Sequence, residues 1–414
     1  MNLFEKIVNT NNIINAYLDL VKTFDENSKS AKYRGLDGKC LNDFDFNSAE
    51  MVEEIETELK KFIPLTPALK LNIPKKSGGD RSIFIYSVKD RIKAQAIYRI
   101  IEPIVNNMLS DYLYSYRTSH PAHKAAKSVV KRYNKHYKND FVFCADIKDY
   151  TDNINQNILK NKIKSLYFDE KTELLLNLFI KNKFFFDKSI IIPKKGLVQG
   201  VPIIAFFANL YLDDMDKEIG KKVSLYRRVG DDFILMDKNI TKLNNLKTKI
   251  CRQIENLDLH LSEKKTSIQK AEKKFIFLGY EFSDGTISIN NKTTARAISR
   301  WKRKLDYKPI PTSKKLKKIK YYLYTDSDSI HHDFLQLLSS YRLVNNDKQI
   351  KKLSETFFKI LTKYFFKKYS HKKQNQVKKI LKSNNVPSLF KYYLNIKHGK
   401  KSITELSVSK KTNN

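Results

Sequence analysis

Three aspartates set among apolar runs constrain this chain most. Asp146 closes the run Phe141 to Ala145, and Asp231-Asp232 follow Val229-Gly230 and precede Phe233-Ile234-Leu235. Short apolar runs bounded by turn residues read as buried strands. One strand with a carboxylate, beside a tight hairpin with two, would gather all three at one sheet edge. Carboxylates crowded together repel unless a cation sits among them. Hard oxygen donors of this kind suit Mg2+. Two such ions about 4 Å apart can activate an attacking oxygen and stabilise a leaving one in phosphoryl transfer. An isolated Asp-Asp is ordinarily a solvated turn. The apolar flanks and the third aspartate weigh against that here.

The segment between them, Lys194 to Asp216, reads KKGLVQGVPIIAFFANLYLDDMD. It predicts a glycine-punctuated turn and an apolar helix from Pro202 to Met215. Most of that helix is expected to be core. Asp213, Asp214 and Asp216 at its end read as capping or solvated.

In order and spacing these blocks resemble the palm of a reverse transcriptase. DIKDYTDNI carries the first catalytic aspartate at Asp146. Gln199-Gly200-Val201-Pro202 matches the QG-x-P turn, and Val229-Gly230-Asp231-Asp232 the x-x-D-D hairpin. Leu261 to Thr266 and Phe277-Leu278-Gly279-Tyr280 match two later blocks. The resemblance covers roughly residues 30 to 290. It is strongest to the bacterial group II intron-like, retron and abortive-infection or defence-associated branches. It implies an α+β right-hand polymerase of fingers, palm and thumb, with a small antiparallel palm sheet.

The same resemblance assigns the other site residues. Lys75 or Lys76, with Arg81, fall on a fingers hairpin (Ile73 to Ile83) that clamps a triphosphate. Arg91 and Gln95 match an R-x-x-x-Q helix that contacts primer and template. Tyr150, Thr151, Gln199 and Gly200 line the nucleotide pocket, and a glycine there lets backbone approach a base and sugar. Lys265 matches a lysine that acts as general acid on the pyrophosphate. Val229 and Gly230 touch the primer end, and Leu278, Gly279 and Tyr280 form a primer-grip hairpin. Asp146, Asp231 and Asp232 would hold two Mg2+, with Mn2+ able to substitute.

Composition agrees with a nucleic-acid partner. The chain has 414 residues, and 79 Lys and Arg against 44 Asp and Glu give a net charge of +35. A surface that basic binds polyanions in a salt-dependent way. A solvated, lysine-rich surface accounts for part of the excess. From Asn291 onward there are 31 Lys and Arg against seven acids, so about two thirds of the excess lies there. Tyr321, Tyr322, Tyr324, Tyr341, Tyr364, Tyr392 and Tyr393 interleave with these lysines. Basic helices with aromatics suit phosphate contact and base stacking. Cys40, Cys144 and Cys251 have the spacing of neither a zinc site nor a disulfide framework, which fits a reducing cytosol. MNLFEKIVNTNN lacks a signal-peptide core, and no run reaches the ~20 apolar residues of a membrane span. A cytoplasmic protein with no membrane partner is expected.

The predicted order is an N-terminal helical extension (1–29), fingers with part of the palm (30–140), palm (141–290), and a helical thumb with a basic extension (291–414). Residues 1–29 read as one amphipathic helix through Leu3, Ile7, Ile14, Leu18 and Val21. Residues 47–62 read as a second, through Met51, Ile55 and Leu59. His120 and His123 read as surface or template-facing residues.

Three positions depart from the family pattern. Thr151 stands where an aromatic ring usually blocks a ribose 2′-OH, with Tyr150 beside it. Val229 replaces the aromatic of the x-x-D-D block, and Ile204 replaces a serine after the QG-x-P proline. None removes a metal ligand. All suit an enzyme with one dedicated template. The resemblance therefore implies an RNA-directed DNA polymerase that uses dNTPs to copy a cognate non-coding RNA into a DNA product, in anti-phage defence. One alternative is template-independent or protein-primed synthesis of the abortive-infection type. Another is an RNA-binding scaffold or splicing helper. A homo-oligomer is compatible with either.

Overall fold

A computed structural model of the chain describes residues 2–23, 34–40, 49–74, 80–306, 330–366, 368–383 and 389–397. They form two compact units. The first comprises Met1–Ala125 with Val142–Ile268, and the second Ala126–Phe141 with Gln269–Asn414. The α+β organisation expected of a right-hand polymerase is observed, with small sheets among many helices.

The first unit holds two four-stranded sheets. In one, β1 (Ala68–Pro74) pairs antiparallel with β2 (Asp80–Ile85), and Pro74 faces Asp80. This is the expected basic hairpin; its turn, with Lys75 and Lys76, lies outside the described residues. β1 also pairs with β4 (Phe184–Phe186), here in parallel, and β5 (Ser189–Ile191) forms the edge. The other sheet runs β6 (Leu225–Val229), β7 (Asp232–Asp237), β3 (Phe141–Asp146) and β8 (Ser267–Lys270). Phe233 to Met236 and Val142 to Ala145 are buried, as strands covered on both faces must be.

Two expectations about helices are corrected. The N-terminal segment is two helices, Leu3–Ile7 and Thr10–Thr23. The Asn9 side chain accepts the Asn11 N–H at 3.0 Å and starts the second. That restart rotates the apolar stripe, so Ile13, Ala16 and Leu20 are buried while Leu18 and Val21 are exposed. The helix from Pro202 ends at Tyr211, and a second runs Asp213–Gly220. Pro202 sits in the first turn, where its missing N–H costs no bond. Leu212, at φ −109° and ψ 4°, interrupts the run. The acids beyond it are not all solvated. Asp213 and Asp216 are buried, and Asp213 accepts the Ser110 N–H at 2.7 Å. Asp214 remains outside, paired with Lys162.

The second unit contains a three-stranded antiparallel sheet of β9 (Phe275–Phe277), β10 (Tyr280–Ser283) and β11 (Thr286–Ile289), ordered β11-β10-β9. Phe275 and Phe282 stack at 4.7 Å, and Tyr133 meets both edge-on. Helices follow at Asn291–Asp306, Ile330–Ser340, Asp347–Phe366, His371–Ser383 and Leu389–Lys397. Trp301, Phe334 and Phe357 form an aromatic centre, with ring separations of 5.1 to 5.4 Å.

The tyrosines expected to stack on bases are partly core instead. Tyr392 and Tyr393 are buried, and the Tyr393 hydroxyl donates to the Val344 carbonyl at 2.9 Å. Short helices need large side chains to cover one another, and tyrosine serves when its hydroxyl finds a partner. Tyr341 packs edge-on against Tyr280 at 5.0 Å. Tyr321, Tyr322 and Tyr324 lie outside the described residues.

Candidate active site

The β6–β7 hairpin that carries Asp231 and Asp232 is built by a two-residue turn. Val229 faces Asp232 in the β6–β7 register, leaving Gly230 and Asp231 to turn the chain. Gly230 takes φ +67°, a conformation glycine adopts without steric cost. Gly at the first central position is a favoured way to close such a hairpin.

Backbone hydrogen bonds hold this turn to the strand carrying Asp146. The Ile147 N–H donates to the Asp231 carbonyl at 3.1 Å. On its other side, the Asp146 carbonyl accepts the Ser262 N–H at 2.8 Å, and the Lys148 N–H donates to His260 at 2.9 Å. Three distant sequence blocks are thus joined around one residue. The short 3-10 turn Glu263–Lys265 follows Ser262 and aims Lys265 at the site. Its ammonium lies 2.7 Å from Asp146 Oδ2.

Charge is concentrated at this point. Burial first, and then the negative charge of Asp146, push the Asp231 carboxyl above the usual carboxylate range. Burial opposes the charge on Lys265. Its hydrogen bond to Asp146 and the charges of Asp146, Asp231 and Asp232 together outweigh that and raise the ammonium above the usual lysine value. Asp232 begins β7, and its charge reaches Cys144 and Lys265. Among the described residues, no three His, Cys, Asp or Glu side chains form a group able to hold a metal ion. Asp146 and Asp231 nevertheless offer two hard oxygen donors whose mutual repulsion a divalent cation would relieve. The donor chemistry fits such a cation, and Lys265 now supplies the neutralising charge.

The nucleotide-pocket candidates take distinct places in the same unit. Tyr150 is buried, and its hydroxyl donates to the Ala208 carbonyl at 2.5 Å. Thr151 is half-buried, and its carbonyl accepts the Leu197 N–H at 3.0 Å. The exposed Gln199 reaches Asp152 Oδ1 at 3.3 Å. Gly200, at φ +124°, lies close against another stretch of backbone. A Cβ there would lie 2.7 Å from the Phe84 carbonyl and 3.5 Å from the Tyr86 ring. The Tyr86 hydroxyl also donates to the Val198 carbonyl at 2.6 Å. The glycine turn is therefore shaped to receive β2 and the residues after it. Arg81 is exposed on β2.

Arg91 and Gln95 lie in the helix Val88–Met108, and both are half-buried. Burial lowers the Arg91 guanidinium below its usual value. Gln95 points to Asp19 of the N-terminal helix at 3.4 Å. In the second unit, Leu278 and Gly279 turn β9 into β10 at φ +49° and +82°, and Tyr280 begins β10. The Tyr280 hydroxyl donates to the Ser340 carbonyl at 2.9 Å.

Sequence reasoning missed one residue at the site. Arg228, fully buried beneath the hairpin, pairs with Asp216 at 2.6 Å. The clue available was a pair of arginines, Arg227 and Arg228, within a short strand that runs into the Asp231-Asp232 block. A buried guanidinium demands a buried acid.

A family model described as reverse transcriptase (RNA-dependent DNA polymerase) matches residues 73–282. The chain is 24% identical over 292 residues to Protein YkfC of Escherichia coli, covering 61% of this chain and 76% of that protein. It is 27% identical over 178 residues to a COX1/OXI3 intron 2 protein of Saccharomyces cerevisiae, covering 42% of this chain and only 20% of that one. Among solved structures it is similar to apo telomerase from Candida tropicalis. The TM-score is 0.46 at 14% identity, covering 88% of this chain and 71% of that one. A form of that telomerase truncated from its C-terminal domain gives a TM-score of 0.42 at 18% identity, covering 56% and 59%. No helix of the described residues is long and apolar enough to cross a membrane.

Proposed function

The chain belongs to the reverse transcriptase (RNA-dependent DNA polymerase) family of nucleotidyltransferases, and from that premise we propose that it copies a cognate non-coding RNA into DNA. The observation that carries this reading is the joining of Asp146, Asp231 and Lys265 by backbone and side-chain hydrogen bonds. A primer hydroxyl attacks the α-phosphate of a dNTP, and pyrophosphate leaves. Asp146 and Asp231, with Asp232 beside them, would hold divalent cations, with Mg2+ favoured by the all-oxygen donor set. Bound there, the cations supply activation of the attacking oxygen and charge stabilisation of the leaving one.

The chain's own residues supply the rest. Lys265 remains protonated at neutral pH, which suits a proton donor to the departing pyrophosphate. Arg81, with Lys75 on the same hairpin, gives a charged clamp for the triphosphate. Gln199, Gly200, Tyr150 and Thr151 shape the nucleotide pocket. Arg91, Gln95, Val229, Gly230 and the Leu278-Gly279-Tyr280 hairpin guide primer and template. With Thr151 at the sugar-selecting position and Tyr150 tied to Ala208, rejection of ribonucleotides is weak. The basic residues after Asn291 bind the polyanionic product and template. A cytoplasmic role in anti-phage defence rests on the bacterial branches that the sequence resembles.

The test is incorporation of labelled dNTPs and, separately, rNTPs by protein purified with its bound nucleic acid, before and after RNase. Synthesis lost after RNase supports RNA-templated copying, and sequencing the product identifies the template. Synthesis that survives RNase favours the template-independent or protein-primed alternative.

A further inference from the structure

A salt bridge with both partners wholly inside a protein is weak evidence for stability. Desolvating the two charges costs about as much as their attraction returns, and an apolar pair often serves equally well. Arg228 on β6 and Asp216 on the helix Asp213–Gly220 form such a pair, with no exposed surface on either side chain. Joining helix to sheet is therefore an incomplete account of them.

The other bonds of the guanidinium supply the rest. Nε reaches Asp216 Oδ1 and Oδ2 at 2.8 and 3.0 Å, and Nη2 reaches Oδ2 at 2.6 Å. Asp216 is itself fixed by the Tyr226 hydroxyl, which donates to Oδ1 at 2.7 Å. With its fork anchored, Arg228 spends its two outer donors on backbone. Nη2 donates to the Asn209 carbonyl at 3.1 Å, and Nη1 donates to the Gly230 carbonyl at 2.9 Å. The Gly230 carbonyl belongs to the peptide whose N–H is that of Asp231. The peptide after Asp231 is held by the Ile147 N–H at 3.1 Å. Asp231 is thus gripped through both of its peptides, by Arg228 before it and by the Asp146–Ile147 strand end after it. The Arg228 backbone is fixed too, exchanging bonds of 3.0 and 2.8 Å with Tyr112 and Tyr114.

We propose that Arg228, locked by Asp216 and Tyr226, is a positioning residue that sets the orientation of the Asp231 carboxylate by holding the Gly230 carbonyl. This rests on the reading of Asp231 as a catalytic ligand. An apolar pair could join the helix to the strand but could not donate to that carbonyl. A lysine could neutralise Asp216 but, with a single nitrogen and no planar fork, could not reach Asp216, Asn209 and Gly230 in this geometry.

Arg228→Lys in the full chain tests this, because Asp216→Asn would leave a buried guanidinium uncompensated and threaten the fold. Two properties are read. One is hydrogen exchange of the peptide spanning residues 225–237. The other is kcat and KM for dNTP on a primed RNA template. The expected result is wild-type circular dichroism, faster exchange at the turn, a dNTP KM within about twofold, and a kcat lower by about tenfold or more. Unchanged exchange at the turn with unchanged kcat overturns the proposal. If the wild-type chain makes no product, the polymerase reading fails, and the exchange of the turn alone decides whether Arg228 positions it.

Discussion

Gly230 and Gly279 each help to close a two-residue hairpin turn, yet the two turns place opposite demands on the glycine. At Gly230, a Cβ would meet nothing within 4 Å. At Gly279, it would lie 2.2 Å from the Tyr341 hydroxyl and 3.0 Å from the ring. The first turn is open on its outer side and held from beneath by a buried guanidinium. The second is closed by an aromatic ring and held by packing. The open turn takes its rigidity from hydrogen bonds below. The closed turn takes its rigidity from the side chain that fills that space.

That contrast predicts different failures. Disturbing the charge around the first hairpin should reduce turnover and leave the fold intact. Lys265→Ala removes the ammonium beside Asp146, and kcat in primer extension should fall by about 10 to 100-fold with an unchanged melting temperature. Loss of stability in step with activity would break the comparison.

Glycine replacement should sharpen it. Gly230→Ala and Gly279→Ala both force alanine into positive φ, at a cost of about 1 kcal/mol. Only Gly279→Ala must also displace Tyr341, bringing its cost to about 2 to 3 kcal/mol in urea denaturation. Adding Tyr341→Ala should recover about 1 kcal/mol of that penalty beyond additivity. Equal costs at the two glycines would contradict the assignment of one turn as open and the other as closed.

A smaller effect is expected at the far end of β7. Burial would raise the Asp237 carboxyl, but the Lys242 ammonium opposes it. With help from the Asn239 and Ser224 N–H groups and the Ser224 hydroxyl, it lowers the carboxyl to about 2. A depressed carboxylate stabilises the fold above its unfolded value, and that stability is lost as pH falls toward the folded one. Wild type should therefore lose up to about 2 kcal/mol between roughly pH 4 and pH 2 that Asp237→Asn does not lose. Activity at neutral pH should not differ.

The sequence made some of this legible and hid the rest for physical reasons. Asp146 and Asp231 could be read because carboxylates bordering apolar strands are anomalous locally. The β1–β2 hairpin could be read because its basic arms flank a Gly-Gly pair. Asp216 could not be read, since a run of acids ending a helix looks solvated until tertiary structure buries one of them. Arg228 lies 12 residues from it, across a turn and a strand, so neither revealed the other. Tyr392 and Tyr393 misled because tyrosine among lysines looks amphipathic from composition alone. Gly200 was legible as a close-approach glycine. The backbone that approaches it, at Phe84, is more than 100 residues away, and only the fold could identify it.

The most direct test of the account is primer extension by the wild-type chain and by Asp146→Ala, with dNTPs and Mg2+ on a primed RNA template. The account predicts DNA product from wild type and a loss of at least about a thousandfold in the variant, with its fold retained. A variant within about tenfold of wild type, or a wild type inert with both Mg2+ and Mn2+, would contradict it.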